Sequence, residues 1–171
     1  MKKIVLFITI FILGLVLFMP KINLYYTLEN FLKKEHIMIK EGAIKDRWVA
    51  LEIKDASVFY DGVASLEAKE IDILPWIFYD KVTLKDVRPA KALTSMFDAK
   101  ADSITLTYSL LSYKTIMIAA EGDFGTLRGY IDLRERKIHL VLAPSKKFKN
   151  HQVVREYFKK QEEGLVYESK L

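Results

Sequence analysis

The sequence predicts a mainly β protein: an N-terminal transmembrane helix, then an antiparallel β-meander forming a curled sheet or open groove, flanked by two short amphipathic helices. Three observations support this fold class. An uncharged apolar run covers residues 4–19, apolar residues recur with a period of two from about Trp48 to Ala143, and helical spacing occurs on either side of that region. The predicted segments are a transmembrane signal-anchor at 1–20, a juxtamembrane helix and linker at 21–46, an antiparallel β-domain at 47–143, and a C-terminal helix and tail at 144–171.

The apolar run at the N-terminus predicts an uncleaved membrane anchor. Lys2 and Lys3 precede it, and Phe18, Met19 and Pro20 follow it, whereas a cleavable signal peptide needs small residues at this place. The run is shorter than the ~20 residues of a comfortable span, so a secretory signal peptide is the alternative interpretation. The positive-inside rule places the N-terminus in the cytoplasm. For a bacterium this predicts an inner-membrane protein whose main domain is periplasmic.

Helical spacing of apolar residues follows Pro20. Leu24, Leu28 and Phe31 predict a short amphipathic helix that leaves the membrane. Tyr25 would lie near the interface, where aromatic rings are enriched.

A second amphipathic helix is predicted from residue 144 onward. Val154, Tyr157 and Phe158 would form its apolar stripe, and Gly164 is a typical C-terminal stop. The following stretch, LVYESKL, would add a last strand.

Residues 51–74 predict a long β-hairpin. With paired residue numbers that sum to 124, Val58 faces Leu66 and Ile53 faces Ile71, and a three-residue loop remains at 61–63. The apolar residues change from odd to even positions in one arm and from even to odd in the other, at the same level. We interpret this change as a ribbon that passes between two packing environments, with Val58 and Leu66 on one face and Ile53 and Ile71 on the other.

Residues 103–143 predict a half-solvated antiparallel meander. A four-residue turn at 122–125 and a two-residue turn at Arg134 and Glu135 join its strands, and Gly129 leaves a gap on the apolar side that a bulky neighbour or ligand can approach. The apolar side is predicted to be either a groove or a docking face for the helices. Its residues are Ile104, Leu106, Ile116, Ile118, Leu127, Ile131 and Leu140.

The composition excludes several kinds of chemistry. With no Cys, the chain has no disulfide, thiolate metal site or Cys nucleophile, and the net charge of +5 is scattered among acids, which argues against direct nucleic-acid binding. Nucleotide-binding, zinc-protease and serine-hydrolase motifs are absent from the sequence, so no catalytic, cofactor-binding or metal-binding residue is predicted. The basic cluster Lys146, Lys147 and Lys149 is a candidate contact for anionic lipid or a partner.

The ribbon ALEIKDASVFYDG, the segments EIDILPW and VTLKDV, and the terminal EGLVYES resemble the AsmA-like and type II secretion protein N group of bacterial envelope proteins. The resemblance covers residues 28–87 and the C-terminal stretch, and it implies antiparallel sheets curled into an open groove with an apolar lining. It supplies no catalytic residues. We therefore expect a non-enzymatic, single-pass inner-membrane protein that acts as a scaffold or assembly component of an envelope machine of the type II secretion or DNA-uptake kind, with envelope protein partners. The alternative is a protein that binds or transports lipid in its groove.

Overall fold

Two consecutive helices open the chain in a computed structural model that describes residues 2–76, 78–94, 98–149, 156–161 and 164–170. Helix α1 is Lys2–Leu17 and helix α2 is Lys21–Lys34, separated by Pro20. Helix α2 confirms the helix expected after Pro20 but not its expected apolar stripe, because Leu24, Leu28 and Phe31 are 44%, 43% and 58% exposed. Lys21 and Tyr25 form its buried side, so Tyr25 packs against the sheet instead of lying at a membrane interface. Within the described ranges, no helix combines the length and the hydropathy needed to cross a bilayer.

The rest of the fold is one open antiparallel sheet of eleven strands. The strands are β1 Ile37–Lys40, β2 Ala43–Asp46, β3 Leu51–Tyr60, β4 Val63–Pro75, β5 Tyr79–Pro89, β6 Ala101–Ser109, β7 Thr115–Gly122, β8 Gly125–Asp132, β9 Lys137–Pro144, β10 Lys159–Gln161 and β11 Gly164–Lys170. From β3 to β9 each strand pairs with the next one in sequence, and β11 and β10 follow β9. Strands β1 and β2 both pair with β3, one after the other along its length. The predicted mainly β, antiparallel and unclosed sheet is confirmed.

The register of the long hairpin is as predicted over most of its length. Val58 pairs with Leu66 and Ile53 pairs with Ile71. The predicted three-residue loop is wrong, because the register shifts after Val58 and Tyr60 pairs with Val63. The loop that remains, 61–62, has positive φ at both residues, as a two-residue hairpin turn requires.

The interpretation of the hairpin as a ribbon between two packing environments is wrong. Ile53 and Ala56 lie in the same buried cluster, together with Ala68 and Ile71. In an ordinary strand, residues three apart point to opposite faces. Asp55 adopts φ of +51°, a left-handed conformation that interrupts the alternation, so that the apolar residues on both sides of it face the same way.

The same interruption crosses four neighbouring strands. The regular pairing skips one level at Asp55 on β3, Lys69 on β4, Asp86 on β5 and Asp102 on β6, which we call the kink row. Asp86 also has positive φ, at +50°, and Asp is one of the few residues that enter this region without large strain. The kink row therefore lets the sheet bend while one face stays apolar.

The strands of the predicted meander are also paired as expected. Leu106 pairs with Ile118, Ile116 with Ile131, and Gly129 with Leu140. The predicted two-residue turn between the last two strands is wrong.

That turn comprises the four residues 133–136. Arg136 takes φ of +51°, and Asp132 Oδ1 accepts backbone N–H bonds from Arg134 and Glu135, each at 2.8 Å. These two bonds lower the pKa of Asp132, because they stabilise its carboxylate form. Local hydrogen bonding by Asp132 thus decides the turn length.

The predicted C-terminal helix is wrong over 159–161, which form strand β10. Residues 146–149 are a turn, and Val154 lies outside the described residues. Strand β11 confirms the predicted last strand. Its outer edge would otherwise leave backbone groups unpaired, and β10 pairs with it there, with Lys159 opposite Val166. Gly164 does not stop a helix; with φ of +127° it begins β11 opposite Gln161. Edge pairing thus outweighs the helical spacing of this segment.

Because the strands alternate in direction, the connections fall at two ends of the sheet. The end that we call the anchor end carries the connections 47–50, 76–78, 110–114 and 133–136. The opposite or far end carries 61–62, 90–100, 123–124 and 145–149. Phe18, just after α1, lines one cleft with Trp48, and Lys21 Nζ lies 3.1 Å from Asp46 Oδ1, so α1 joins the domain at the anchor end.

Candidate functional site

The seven residues predicted for the apolar side lie on one face of the sheet. Cross-strand pairs place Leu106 beside Ile118, which pairs with Gly129 and through it neighbours Leu140. A parallel row joins Ile116 to Ile131, and another carries Ile104 and Leu127 on either side of Ala120. All seven side chains are half-buried. We call this surface the apolar face.

The apolar face is wider than the sequence indicated. The row of Ile104 continues across β5, β4, β3 and β2 through Leu84, Ile71, Ile53 and Ile44. On the other side it reaches β11, where Leu165 pairs with Leu142. The apolar positions and this row could be read from period-two spacing, but the periodicity did not reveal the kink row, which places residues on both sides of it, such as Ile53 and Ala56, on the same face.

One end of the apolar face is covered by helix α2. Tyr25 is 3% exposed and packs in the cluster that contains Leu51 and Ile53. Burial raises the pKa of the Tyr25 hydroxyl, and the nearby carboxylates of Glu41 and Glu29 add to this shift. The hydroxyl is buried and makes no hydrogen bond of normal geometry to any described residue. Helix α2 therefore seals the β3 side of the face.

The other end is covered by the loops beside β9. Phe148 is buried against Ala99 and Leu142, with Phe158 packed beside them. The Phe148 and Phe124 rings meet edge to face, with centroids 6.5 Å apart. Ala99, Phe124 and Phe148 thus cover the far end of the face around β9, while its middle, on β6 to β8, keeps its half-buried side chains.

Gly129 has the close neighbour that the sequence predicted. A Cβ at this position would clash with the His139 carbonyl oxygen and would lie 2.9 Å from Leu140 Cδ2. The gap on the apolar face is therefore filled by Leu140, its cross-strand partner, rather than left open for a ligand.

The three lysines predicted as membrane or partner contacts are exposed, and they surround the inward-facing Phe148. Lys146, Lys147 and Lys149 lie in the turn after β9, at the far end. The eight residues of β9 separate this turn from the anchor end by ~26 Å at ~3.3 Å per residue. The three lysines are therefore positioned to contact a partner at the far end of the sheet, and they are distant from the surface from which α1 emerges.

The outer face of the sheet is polar. His139 Nδ1 and Lys137 Nζ each lie 2.9 Å from Glu168 Oε1, and the Tyr130 ring stacks on His139 with centroids 5.3 Å apart. The hydrogen bonds from His139 and Lys137 lower the pKa of Glu168. Within the described part of the chain, no group of three or more His, Asp or Glu side chains converges as a metal site would require. These contacts bind neighbouring strands to one another.

A polar cleft of about 330 Å³ opens beside the kink row. Asp55, Lys69, Asp86 and Arg88 line it, so both signs of charge are present. Lys100 Nζ lies 2.7 Å from Asp86 Oδ1 and 3.1 Å from Asp102 Oδ1. The hydrogen bond from Lys100 lowers the pKa of Asp86. The three aspartates of the row are therefore balanced by Lys69 of the row and by the neighbouring Arg88 and Lys100, which suits a structural bend.

No protein-family model, curated protein or solved structure gave a significant match to this chain.

Proposed function

We propose that this chain is a non-enzymatic, single-pass protein of a bacterial inner membrane, whose periplasmic sheet shelters the apolar part of a lipid on its apolar face. The observation that carries the proposal is the middle of that face. Leu106, Ile118 and Ile131 are half-buried there, although helix α2 covers one end and the loops around Phe148 cover the other. Such a row of side chains gains stability when an apolar ligand removes it from water.

The dimensions of the apolar face suit an acyl chain. The uncovered middle, on β6 to β8, spans two strand intervals, or ~10 Å at ~4.8 Å each, and its strands of eight or nine residues are ~26–30 Å long at ~3.3 Å per residue. One leaflet contributes about half of the ~30 Å hydrocarbon core of a bilayer, so a single acyl chain would fit along these strands.

Helix α1 supports the membrane part of the proposal. Its large side chains are exposed on every side, among them Ile4, Phe7, Ile8 and Phe11. A helix that is apolar all round has no face for water. Its 16 residues rise ~24 Å, and local thinning of the bilayer and snorkelling lysines would make up the difference from ~30 Å.

Photo-crosslinking in cells tests the lipid site with a matched control on one strand. A photoreactive phenylalanine analogue replaces Ile118 on the apolar face or Met117, its neighbour, which is 52% exposed and pairs with Thr107 and Tyr130 of the outer face. We expect lipid adducts, identified by mass spectrometry of the purified full chain, at position 118 and few at 117. Equal adducts at both positions, or none at 118, would contradict the lipid site.

The exposed lysine turn favours a second candidate, a scaffold or assembly role in an envelope machine of the type II secretion or DNA-uptake kind. Lys146, Lys147 and Lys149 are exposed in a turn at the far end, opposite the end at which α1 joins the domain. A cluster of cations in this position suits an acidic protein partner. Co-purification of the tagged chain from detergent tests it. A chain recovered alone, with secretion and DNA uptake intact in a deletion strain, would refute the scaffold.

A further inference from the structure

The connections at the anchor end expose large apolar side chains, one group per loop. We call them the rim: Trp48, Trp76, Phe78, Leu111, Tyr113 and Leu133. Trp48 is 83% exposed and Leu111 is 97% exposed. They belong to four separate connections that the antiparallel register brings to the same level. Exposed apolar side chains gathered in this way indicate a contact surface.

The rim is a built feature of the sheet. At the β4–β5 connection, the backbone N–H of Trp76 donates to Asp80 Oδ1 at 3.1 Å and to the Tyr79 carbonyl oxygen at 3.2 Å. Burial raises the pKa of Asp80 even though this hydrogen bond opposes the shift. The turn that displays Trp76 is therefore held by its own hydrogen bonds.

Cations accompany the aromatic rings of the rim. Lys114 Nζ lies 5.3 Å from the centroid of the Tyr113 ring, and these two residues line a cleft of about 370 Å³ with Leu133 and Arg134. Aromatic rings beside Lys and Arg are the composition found where proteins meet lipid headgroups, since the rings occupy the interface and the cations contact phosphates.

The far end differs. Its connections expose Asp61, Asp123 and the lysine turn, with Tyr60 and Val63 as an exposed apolar pair. Helix α1 ends at the anchor end, where Phe18 and Trp48 line a shared cleft. The surface rich in aromatic residues is thus continuous with the apolar helix.

We propose that the rim rests on the bilayer that holds α1, with its aromatic side chains in the headgroup region. The rim then contacts a lipid surface rather than a protein. From Trp48 before β3 to Leu133 after β8, the rim covers five strand intervals, or ~24 Å. The sheet then stands on the membrane along this length, and the apolar face opens at the level from which a lipid would enter. This inference rests on the proposed anchor but not on lipid occupying the apolar face.

The two tryptophans of the chain both belong to the rim, which allows a direct test in the full protein. The full chain is reconstituted into vesicles of phosphatidylcholine and phosphatidylglycerol, with and without lipids brominated on the acyl chain, which quench nearby indole fluorescence. Trp48 adjoins α1 and would lie near the bilayer in any orientation. The deciding probes are therefore Trp76 in a Trp48→Phe variant, and Leu111→Trp in a background that carries Trp48→Phe and Trp76→Phe. Tyr60→Trp in the same background is the far-end control.

We expect Trp76 and the Leu111→Trp probe to lose roughly half of their emission with brominated lipid, because interfacial groups lie within ~5–10 Å of the acyl boundary. The Tyr60→Trp control should keep its emission with brominated lipid, and iodide dissolved in the aqueous phase should quench it. Far-ultraviolet circular dichroism confirms that each variant is folded. If Trp76 and the Leu111→Trp probe respond to both quenchers as Tyr60→Trp does, the proposal is wrong and the rim is left to a protein partner.

The outcomes separate this inference from the proposed function. Quenching of Trp76 without adducts at position 118 would refute the lipid site and leave the rim contact standing. Adducts at 118 without quenching of Trp76 would refute the rim contact alone. Release of the full chain from vesicles by alkaline carbonate would refute the anchor, and the rim contact with it.

Discussion

Because the middle of the apolar face is open, we expect two equivalent truncations to lower the free energy of unfolding by very different amounts. Ile53→Ala and Ile118→Ala each remove the same atoms from an isoleucine on the same face of the sheet. Ile53 is 0% exposed beneath the cluster of Tyr25, whereas Ile118 is half-buried in the middle of the face. A covered site and an open site respond differently, because only the covered site retains a cavity.

The expected magnitudes follow from the carbons removed. Three carbons at ~0.8 kcal/mol each give ~2.4 kcal/mol of lost transfer free energy at Ile53. The cavity that remains raises the loss to about 3–4 kcal/mol. At Ile118, partial exposure roughly halves the first contribution and the open face removes the second, which leaves ~1 kcal/mol. The difference of ~2–3 kcal/mol corresponds to a roughly 30- to 160-fold difference in the folding equilibrium.

The measurement is urea unfolding of the full chain, with α1 kept soluble in an amphipathic polymer, followed by circular dichroism. Met117→Ala, on the outer face beside Ile118, is the matched control and should change the free energy of unfolding by only a few tenths of a kcal/mol, ~0.5 at most. If Ile118→Ala costs as much as Ile53→Ala, a further layer covers the middle of the face, and the reasoning that leads to a lipid site is refuted.

Three further predictions concern the backbone and pH. Asp55→Val should lower the free energy of unfolding by about 1–2 kcal/mol, because a β-branched residue is strained at positive φ, whereas Asp55→Gly should be nearly neutral. Lys69→Val is the control, since Lys69 lies on the same kink row at ordinary φ. An equal loss for Lys69→Val would show that strain is not the cause. Gly129→Ala should cost about 1–3 kcal/mol in the same urea assay, because its Cβ meets the backbone of β9; an unchanged midpoint would contradict that contact. Burial raises the pKa of Tyr25 above its ordinary 10.0, so Tyr25 ionises in the unfolded chain before it ionises in the folded one as the pH rises. The melting temperature should therefore fall above pH 10, and it should fall less in Tyr25→Phe. The same fall of melting temperature with pH in both proteins would contradict the shift.

The register of the sheet could be predicted from the sequence because paired apolar residues determine it. A slip by one residue would have placed Ile53 opposite Glu70, and the structure keeps Ile53 opposite Ile71. The same logic predicts Ile104, Leu106 and Ile118 as neighbours, as the pairing of β6 with β7 shows. Period-two spacing therefore carried both the strand pairing and the membership of the apolar face.

The kink row could not be inferred from one hairpin. The change of parity around Asp55 indicates a change of face if the strands alternate without interruption, and the positive φ of Asp55 is the interruption. The parity also changes between Leu84 and Val87 and between Ala101 and Ile104. Four changes at one level indicate a bend across strands, and only the topology brings those levels together.

Two other differences have physical causes. Lys159 belongs to a segment with helical spacing, yet it pairs with Val166 because an unpaired sheet edge offers more hydrogen bonds than an isolated helix of this length can keep. The rim was missed because Trp76, Leu111 and Leu133 follow no periodicity in sequence. Loops become neighbours only when the order of the strands is known.

The connectivity of the sheet has a consequence for how the chain folds and how it can change. From β3 to β9, every strand pairs with its immediate successor, so each hairpin closes a short loop and depends little on distant parts of the chain. Contacts of this kind are local, which favours rapid folding by growth from any hairpin. They also make the length of the sheet adjustable. Removing or adding a whole hairpin changes the number of strands by two and leaves the direction and register of the others intact, so that the span of the apolar face can vary in steps of about 9–10 Å.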